Sequence, residues 1–443
     1  MFAVGIDVSN GRSTVAVLQS KTTVTLKPFE VSHTPEALGR LVNKLNGLNG
    51  ETKVIMEHTG RYYESIAMFL NSAGIFVSAV NPILLNEYQD GMSVRKVKTD
   101  KADAIKIAKF GLDNWDLLRQ YEPMDTIRYQ LKTMHRQFQL ASKSETAFTN
   151  NLIALLEQTY PGIRKLLSSP ARPDGSQKWV DYVGTFWHVD CVRKLLSSPA
   201  RPDGSQKWVD YVGTFWHADC VRTLSLKAFT ERYLKFCERH KYYFSDEKAA
   251  ELYRHAQNAV ALVPKSDVSK MMVKEAVSQL NTISRTVETY RAEMNRLASQ
   301  LPEYETVMGM YGAGPSTGPQ LMAEIGDIRR FPKKHSIIAY AGIDPGKDDS
   351  GDVVKKSNKS SKRGSPYLRK TLFVVMDVLI QNKPADDPVY QFLDKKRSEG
   401  KPYYVYMTAG GTKFLRHYYG KVRDCLKEKG LWDQPVNDDQ VSE

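Results

Sequence analysis

The 443-residue sequence contains no apolar run that approaches the length of a membrane span, and only four cysteines. Because a span needs about 18 or more consecutive apolar residues, we expect no transmembrane helix and no membrane partner. The cysteines form no CxxC pair and no zinc-type spacing, which excludes a disulfide scaffold and a cysteine-based zinc site. The first residues lack the basic segment and cleavage site of a signal peptide, so we expect a cytoplasmic protein.

The charge balance is strongly basic. Lysine and arginine number 63 against 50 acidic residues, which gives a formal net charge of +13. An excess of this size favours a polyanionic partner, either nucleic acid or an anionic membrane surface, although a basic soluble enzyme is the plain alternative. The length allows two or three domains.

The first 120 residues alternate predicted strands and helices. Strands are expected at residues 2–7, 13–19, 22–31, 53–57 and 75–80, and helices at 35–48, 62–73 and 99–110. Three strands followed by helix, strand, helix, strand predict a mixed α/β sheet in a domain spanning residues 1–120.

The middle of the chain, residues 121–300, has the spacing of long helices. Apolar residues between Val273 and Leu301 recur in steps of four and three, which is typical of a coiled coil, and a less regular stretch begins at Ile127. We expect two long helices that pair either between subunits or as a plain hairpin within one chain.

A tandem repeat interrupts this middle region. Residues 164–192 recur as 193–221 with one change, from Val189 to Ala218. Two copies are too few for a solenoid. We assign no function to the second copy and expect its tryptophans, Trp208 and Trp216, to be packing residues like their counterparts Trp179 and Trp187.

The third region, residues 301–427, combines glycine-rich and basic segments. A glycine-rich turn at 307–315 precedes a predicted helix at 317–325, and residues 353–370 hold seven Lys or Arg and no acid. The polar tail, residues 428–443, is predicted to be disordered.

Four carboxylates form the main candidate site. Asp7 and Glu57 end strands that are otherwise apolar, where an unpaired buried carboxylate is costly. Asp100 and Asp103 lie three residues apart on one face of a predicted helix, where they could also serve only to complement the helix dipole. Carboxylate oxygens suit Mg²⁺ or Mn²⁺, which can steady the attacking and leaving oxygens at a phosphodiester. We therefore predict that the four acids bind metal.

Three segments around these acids resemble one enzyme family. GIDVSNGRSTVAV, MEHTGRY and KTDKADA, in that order, are similar to the N-terminal domain of the DEDD transposases of bacterial insertion sequences, a group that includes Piv-type DNA invertases. The resemblance implies a ribonuclease H-like fold related to the RuvC junction resolvase. It also places the family's catalytic acidic tetrad on Asp7, Glu57, Asp100 and Asp103.

The C-terminal region resembles the transposase domain of the same family. The matching segments are GMYGAGPSTGPQLMAEIGDIRRF, IIAYAGIDP and DSGDVVKKSNKSSKRGSPYLRKTL. The resemblance places the family's nucleophilic serine on Ser350. Residue chemistry alone does not choose between that serine and its neighbours, namely Ser357, Ser360, Ser361 and Ser365.

Basic side chains near Ser350 are the expected phosphate contacts. The candidates for binding nucleic acid are Lys355, Lys356, Lys359, Lys362, Arg363 and Arg369. The glycine-rich turn resembles a helix-hairpin-helix element, whose backbone N–H groups can meet DNA phosphates at a helix N-terminus. The third region is therefore expected to be mainly helical.

The resemblance implies a DNA recombinase of the insertion-sequence type. Such an enzyme cuts and rejoins DNA through a 5′-phosphoserine link, is guided by a structured bridge RNA that pairs with donor and target DNA, and works as a dimer or tetramer whose subunits share active sites.

Three other functions compete with this interpretation. A RuvC-like metal nuclease would cut junctions with the tetrad alone, without a covalent intermediate. A sugar kinase of the actin and hexokinase type would explain the N-terminal segment, but the sequence has no second phosphate loop in the required place. A non-catalytic nucleic-acid binding protein would have the same charge.

Overall fold

The computed structural model describes residues 1–58, 60, 62–82, 84–85, 88, 99–167, 206–345 and 360–432. The chain forms two compact units, Met1–Pro123 and Met124–Glu443. Of the helices in the described ranges, none is long and apolar enough to cross a membrane. Four sequence-predicted functional residues, Ser350, Lys355, Lys356 and Lys359, lie outside these ranges.

A five-stranded mixed sheet forms the centre of the N-terminal unit. Its strands are β1 (Phe2–Val8), β2 (Arg12–Leu18), β3 (Val24–Ser32), β4 (Thr52–Glu57) and β5 (Phe76–Val80), in the order β3-β2-β1-β4-β5. The first three strands are antiparallel, whereas β1, β4 and β5 are parallel. The sheet confirms the mixed α/β architecture predicted from the sequence.

Helices cover both faces of this sheet. They are α1 (Pro35–Asn46), α2 (Tyr62–Ser72) and α3 (Asp100–Asp113), followed by a 3₁₀ turn at Trp115–Leu117. Val4 and Ile6 of β1 share a core with α1 and α2, while Ala3 shares a core with α3 on the opposite face. Because side chains alternate along a strand, Gly5 and Asp7 lie on the α3 face.

Two glycines allow α3 to approach the sheet closely. A Cβ atom on Gly5 would lie 2.0 Å from the Ala104 carbonyl oxygen and 2.5 Å from the Ala108 nitrogen. On the helix, a Cβ atom on Gly111 would lie 2.4 Å from Cδ1 of Ile55 in β4. A side chain at Gly5 would meet the backbone of α3 and push helix and sheet apart, whereas one at Gly111 would displace the Ile55 side chain, so Gly5 above all fixes how close α3 comes to β1.

The second unit is mainly helical in its described part. Its helices are α4 (Thr126–Thr159), α5 (Ile163–Leu167), α6 (Gln206–Thr214), α7 (Asp219–Arg222), α8 (Leu226–His240), α9 (Asp246–Asn258), α10 (Asp267–Ala298), α11 (Tyr304–Met308), α12 (Gly318–Ile325), α13 (Lys334–Ala341), α14 (Pro366–Asn382), α15 (Pro388–Ser398) and α16 (Tyr403–Glu428), with a 3₁₀ turn at Ile328–Arg330. This composition confirms the expected helical C-terminal region.

The two long helices, α4 and α10, pack antiparallel within the chain. The Ser284 hydroxyl of α10 donates a hydrogen bond to Glu145 of α4, and the Arg291 guanidinium lies over the Phe138 ring. The contact within one chain corresponds to the simpler of the two pairings expected from the sequence. A coiled coil between subunits stays a prediction.

Only parts of the two copies of the tandem repeat lie in the described residues, namely 164–167 of the first and 206–221 of the second. The first copy supplies Arg164 to Leu167, at the end of α5, and the second supplies α6 and α7. Trp208 and Trp216 are buried, which confirms their packing role; Trp179 and Trp187 lie outside the described residues. Ala218, the position that differs between copies, is completely buried.

This arrangement predicts that either copy can be removed, with different effects on stability. Deleting residues 168–196 leaves one repeat carrying Ala218, whereas deleting 193–221 leaves one repeat carrying Val189 in the same place. Both variants should fold, since α5 already contacts α6 through Arg164 and Trp208. The second should be less stable by about 1–3 kcal/mol, because valine overpacks a closed site. Urea denaturation measures the difference; equal stabilities, or failure of the first variant to fold, would contradict the prediction.

Candidate active site

Asp7 and Glu57 lie side by side at the ends of adjacent parallel strands. Ile6 of β1 pairs with Met56 of β4, so the next residue on each strand is one of the two acids. Paired positions of neighbouring strands point to the same face, and on this sheet that face carries α3. Both acids are half-buried, as expected at a strand end beside a packed helix.

The other two acids lie in the first turn of α3. The helix begins after Thr99, whose hydroxyl accepts a hydrogen bond from the Ala102 nitrogen. Asp100 is exposed and Asp103 is half-buried, and Lys106 Nζ donates to Asp103 Oδ1 at 3.0 Å. Each acid therefore occupies the strand end or helix turn that the sequence predicted.

The electrostatics of Asp7 show that the four carboxylates lie near one another. Burial raises the pKa of Asp7 to about 6, with further contributions from the charges of Asp100, Asp103 and Glu57. Desolvation and like charges both disfavour the ionised carboxylate. A local excess of negative charge therefore lies at the edge of the sheet where β1 and β4 end and α3 begins.

The four acids suit a divalent cation in chemistry but do not enclose one as they stand. Within the part of the chain that the structure describes, no three His, Cys, Asp or Glu side chains are grouped closely enough to hold a metal ion. The donor set nevertheless consists of oxygen ligands with uncompensated repulsion at Asp7, which a cation would relieve. Binding would require the carboxylates to close on the ion and Asp103 to turn from Lys106.

In the second unit, the chain on either side of residues 346–359 is paired. Pro345 and Ser360 form an antiparallel β-bridge, and the Ser361 nitrogen donates to the Asp344 carbonyl oxygen at 2.9 Å. Further along, the Lys362 nitrogen donates to Gly342 and the Ser365 nitrogen to Tyr340. We call the paired segments, 340–345 and 360–365, the neck. Ser350 lies in the sequence between them.

Two described serines of the neck, Ser361 and Ser365, have structural hydrogen bonds. The Ser361 hydroxyl donates to Asp344 Oδ1 at 2.6 Å. The Ser365 hydroxyl donates to Glu324 Oε2 at 2.8 Å and accepts from the Leu368 nitrogen at 3.2 Å, which caps α14. These engaged hydroxyls favour a structural role for Ser361 and Ser365; Ser350 as the nucleophile stays a prediction from the family resemblance.

The described basic candidates differ in what they contact. Lys362 and Arg363 are exposed. Arg369 Nη1 donates to the carbonyl oxygens of Ala341, at 2.9 Å, and Gly364, at 3.0 Å, so it braces the neck. Lys362 and Arg363 are therefore better placed than Arg369 to reach a phosphate.

The glycine-rich turn leads into a fully enclosed helix. Every residue of α12 is buried, the Gly318 nitrogen donates to the Gly314 carbonyl at 2.7 Å, and the Thr317 hydroxyl donates to the Gly312 carbonyl at 2.6 Å. The first amide of the helix thus has a partner inside the protein. A helix-hairpin-helix contact between this turn and DNA stays a prediction.

Sequence reasoning missed a buried polar network around Glu324. This carboxylate has no exposed surface, and His135 Nδ1 and Arg136 Nη2 lie 2.8 and 3.1 Å from its two oxygens. Burial raises the pKa of Glu324, but the hydrogen bond from His135 and the charge of Arg136 outweigh it and hold that pKa below its ordinary value. Its one sequence signal is an acid in the apolar segment Leu321 to Ile325.

Two family models match the sequence. One, described as a transposase of the IS110 DEDD type, matches residues 4–161, and another, described as "Transposase IS116/IS110/IS902 family", matches residues 304–391. Together they cover more than half of the chain.

Curated relatives match different lengths of the chain. An insertion element IS110 uncharacterized 43.6 kDa protein of Streptomyces coelicolor is 21% identical over 322 residues, 71% of this chain and 70% of the relative. The pilin gene-inverting proteins of Moraxella lacunata and Moraxella bovis are each 41% identical over 58 residues, 13% of this chain and 18% of each relative.

Among solved structures, RuvC of Thermus thermophilus in complex with a Holliday junction substrate is 16% identical to the chain. The similarity covers 26% of this chain and 96% of RuvC, with a TM-score of 0.21.

The repulsion at Asp7 predicts that neutralising this residue stabilises the metal-free protein. Because folding raises the pKa of Asp7 to about 6, its penalty is absent below the lower pKa of the unfolded state and complete above pH 6. We expect Asp7→Asn to raise the Tm by roughly 2–5 °C at pH 7.5, after allowance for solvent screening, and by much less at pH 4, where most of the penalty is absent.

Scanning calorimetry in the presence of a chelator measures this effect. Asp116→Asn is the matched control, because Asp116 is an exposed carboxylate of the same unit. A lower Tm for Asp7→Asn at pH 7.5, or the same shift at both pH values, would contradict the repulsion.

Proposed function

Since the chain belongs to the IS110 family of transposases, we propose that it cuts and rejoins DNA through a covalent serine intermediate. Family membership makes it a DNA-processing enzyme that acts by phosphoryl transfer. The observation that carries the proposal is the set of four acids at the edge of the N-terminal sheet, with their repulsion concentrated on Asp7.

The proposed cofactor is Mg²⁺ or Mn²⁺. Asp7, Glu57, Asp100 and Asp103 would hold it through carboxylate oxygens. A bound cation would neutralise charge that develops on a phosphodiester during strand transfer. The strand ends and the first turn of α3 hold the four acids near one another before any ligand binds, which limits how far they would have to move to bind the cation.

The proposed nucleophile is Ser350. The Ser350 hydroxyl loses its proton as its oxygen forms a bond to a DNA phosphorus, the bond from that phosphorus to the 3′ oxygen breaks, and the 3′ oxygen takes up a proton to become a 3′ hydroxyl. A phosphoserine at the 5′ end results, and the reverse attack by a 3′ hydroxyl from another strand restores the serine. Because a phosphodiester-like link persists throughout, no net hydrolysis occurs. The neck supports this role, since it holds both ends of the serine segment together.

Basic side chains of the same segment are proposed to position the DNA backbone. Those proposed are Lys355, Lys356, Lys359, Lys362, Arg363 and Arg369, with Arg369 acting mainly through the neck. Phosphate contacts of this kind fix register without reading sequence. The inversion of a gene, which the names of the Moraxella relatives indicate, is a rearrangement of the same kind: strands are cut and rejoined.

A structured bridge RNA is proposed to recognise the DNA sequence. The net charge of +13 suits a chain that binds two nucleic acids, because each neutralised phosphate releases counterions. Base pairing between RNA and both DNA partners would select sites while the protein contacts backbones. A dimer or tetramer, in which the acids of one subunit serve the serine of another, would bring two duplexes together.

A covalent adduct tests this proposal directly. The full chain is incubated with DNA carrying the ends of its element, the RNA transcribed from that element and Mg²⁺, then denatured and resolved on a gel. We expect a protein–DNA adduct that peptide mapping by mass spectrometry places on Ser350. Asp7→Asn and Ser350→Ala should each abolish it, whereas Asp116→Asn should leave it unchanged.

The rival nuclease function makes the opposite prediction. A RuvC-like enzyme using the acids alone would release free DNA ends without an adduct, and Ser350→Ala would cut at the wild-type rate. That result would overturn the serine mechanism but leave the acidic site in place. Full activity of Asp7→Asn would instead revive a function that does not use the tetrad.

A further inference from the structure

We propose that Glu324 is a positioning residue for strand cleavage, acting through Ser365 on the neck that holds the nucleophile segment. This inference rests on the proposed function of Ser350. It assigns a role in the reaction to a buried carboxylate far in sequence from both the tetrad and the nucleophile.

Glu324 lies where three helices meet. It belongs to α12, it accepts hydrogen bonds from His135 and Arg136 of α4, and it accepts a third from Ser365 at the start of α14. A fully buried carboxylate is stabilised only when it is well paired, and removal of one partner is strongly felt. The three donors therefore fix the carboxylate plane.

The protons of this network can be assigned from its hydrogen bonds. Lys370 Nζ can only donate, so the atom of Gln139 that it meets at 2.7 Å is the amide oxygen. The Gln139 amide nitrogen then donates to Gln320 and to Nε2 of His135, at 2.9 and 3.0 Å. His135 Nε2 is thus an acceptor, and its proton lies on Nδ1, where it faces Glu324 at 2.8 Å. His135, Arg136 and Ser365 therefore all donate hydrogen bonds to the Glu324 carboxylate.

Ser365 transmits this fixed geometry to the neck. Its hydroxyl bonds to Glu324, while its backbone nitrogen donates to the Tyr340 carbonyl on the opposite segment of the neck at 2.7 Å. The segments touch directly here, since a Cβ atom on Gly364 would lie 2.0 Å from that same carbonyl oxygen. Glu324 therefore sets the position of the residue at which the two neck segments join α14.

The consequence for catalysis follows from geometry. Covalent attack needs the serine oxygen in line with a phosphorus, and a displacement of about 1 Å can cost on the order of 100-fold in rate. Binding of DNA by exposed lysines and arginines depends less on such precision. Loosening the neck should therefore reduce the rate of adduct formation while DNA affinity stays the same.

The test compares Ser365→Ala with Ser365→Thr and Ser225→Ala. Alanine removes the link to Glu324 and also the cap of α14, whereas threonine keeps both functions of the hydroxyl. Ser225 caps α8 through the Ala228 nitrogen, so Ser225→Ala loses a helix cap away from the neck. The last variant controls for the stability cost of cap loss, about 1 kcal/mol.

Two readouts are measured on the full chain. Single-turnover adduct formation, with the element-end DNA, RNA and Mg²⁺, should slow by about 10- to 100-fold in Ser365→Ala, without a change in DNA affinity, and recover in Ser365→Thr. Amide hydrogen exchange at Ser361, Lys362 and Ser365, whose nitrogens make the neck hydrogen bonds, should accelerate in the alanine variant alone.

The outcomes separate this inference from the proposed function. If Ser350→Ala still forms the adduct, the proposed function fails, and the inference that depends on it fails with it. If Ser350→Ala abolishes the adduct but Ser365→Ala matches Ser225→Ala in rate and in exchange, only the positioning role is overturned. The positioning role would also be overturned if adduct formation slows in Ser365→Ala and is equally slow in Ser365→Thr.

Discussion

The close packing of α3 against the N-terminal sheet is the contact on which the candidate site depends. Gly5 leaves room for the backbone of α3 at Ala104 and Ala108, and Gly111 leaves room for Ile55. This contact brings the first turn of the helix, with Asp100 and Asp103, to the strand ends that carry Asp7 and Glu57. The close approach of four carboxylates is unfavourable for the ionised form of Asp7, because burial and the three neighbouring charges raise its pKa to about 6. A bound cation would relieve this repulsion, and that relief would add to the free energy of cation binding.

The positions of the four acids could be predicted from the strands and the helix that carry them, although only Asp7 and Glu57 break the apolar pattern of their element. Asp7 and Glu57 interrupt apolar strands, and Thr99 marks the start of the helix that carries the other two, so the mixed sheet and its acidic edge followed from local signals. The role of Gly5 had a signal as well, since a glycine inside a strand often marks a close approach, but its partner on α3 is not written in the sequence. The network at Glu324 could not be predicted from the sequence, because His135 lies 189 residues away and falls within a stretch of helical apolar spacing. Buried polar contacts between distant segments depend on tertiary packing that no local pattern encodes.

The two units differ in how they stabilise buried or partly buried carboxylates. In the first, carboxylates are gathered without enough cations of their own, which suits a place for a metal ion and phosphate chemistry. In the second, Glu324 is buried more deeply but fully paired, so its charge stabilises one arrangement of α4, α12 and α14. Unpaired charge fits ligand binding and paired charge fits rigid support. In our proposal this rigid support extends to the neck, because the proposed nucleophile must meet a phosphate in one orientation.

Binding of Mn²⁺ to the protein alone tests most directly the claim that the contact between α3 and the sheet assembles a metal site. Electron paramagnetic resonance would follow free Mn²⁺ during titration of the wild type, Gly5→Ala and Gly39→Ala. Gly39 is the matched control, because a Cβ atom there would contact nothing within 4 Å and should leave the fold intact. We expect saturable binding by the wild type and by Gly39→Ala, and a loss of at least about 10-fold in affinity in Gly5→Ala, equivalent to 1.4 kcal/mol. Equal affinities in all three proteins, or no binding by the wild type, would contradict the claim.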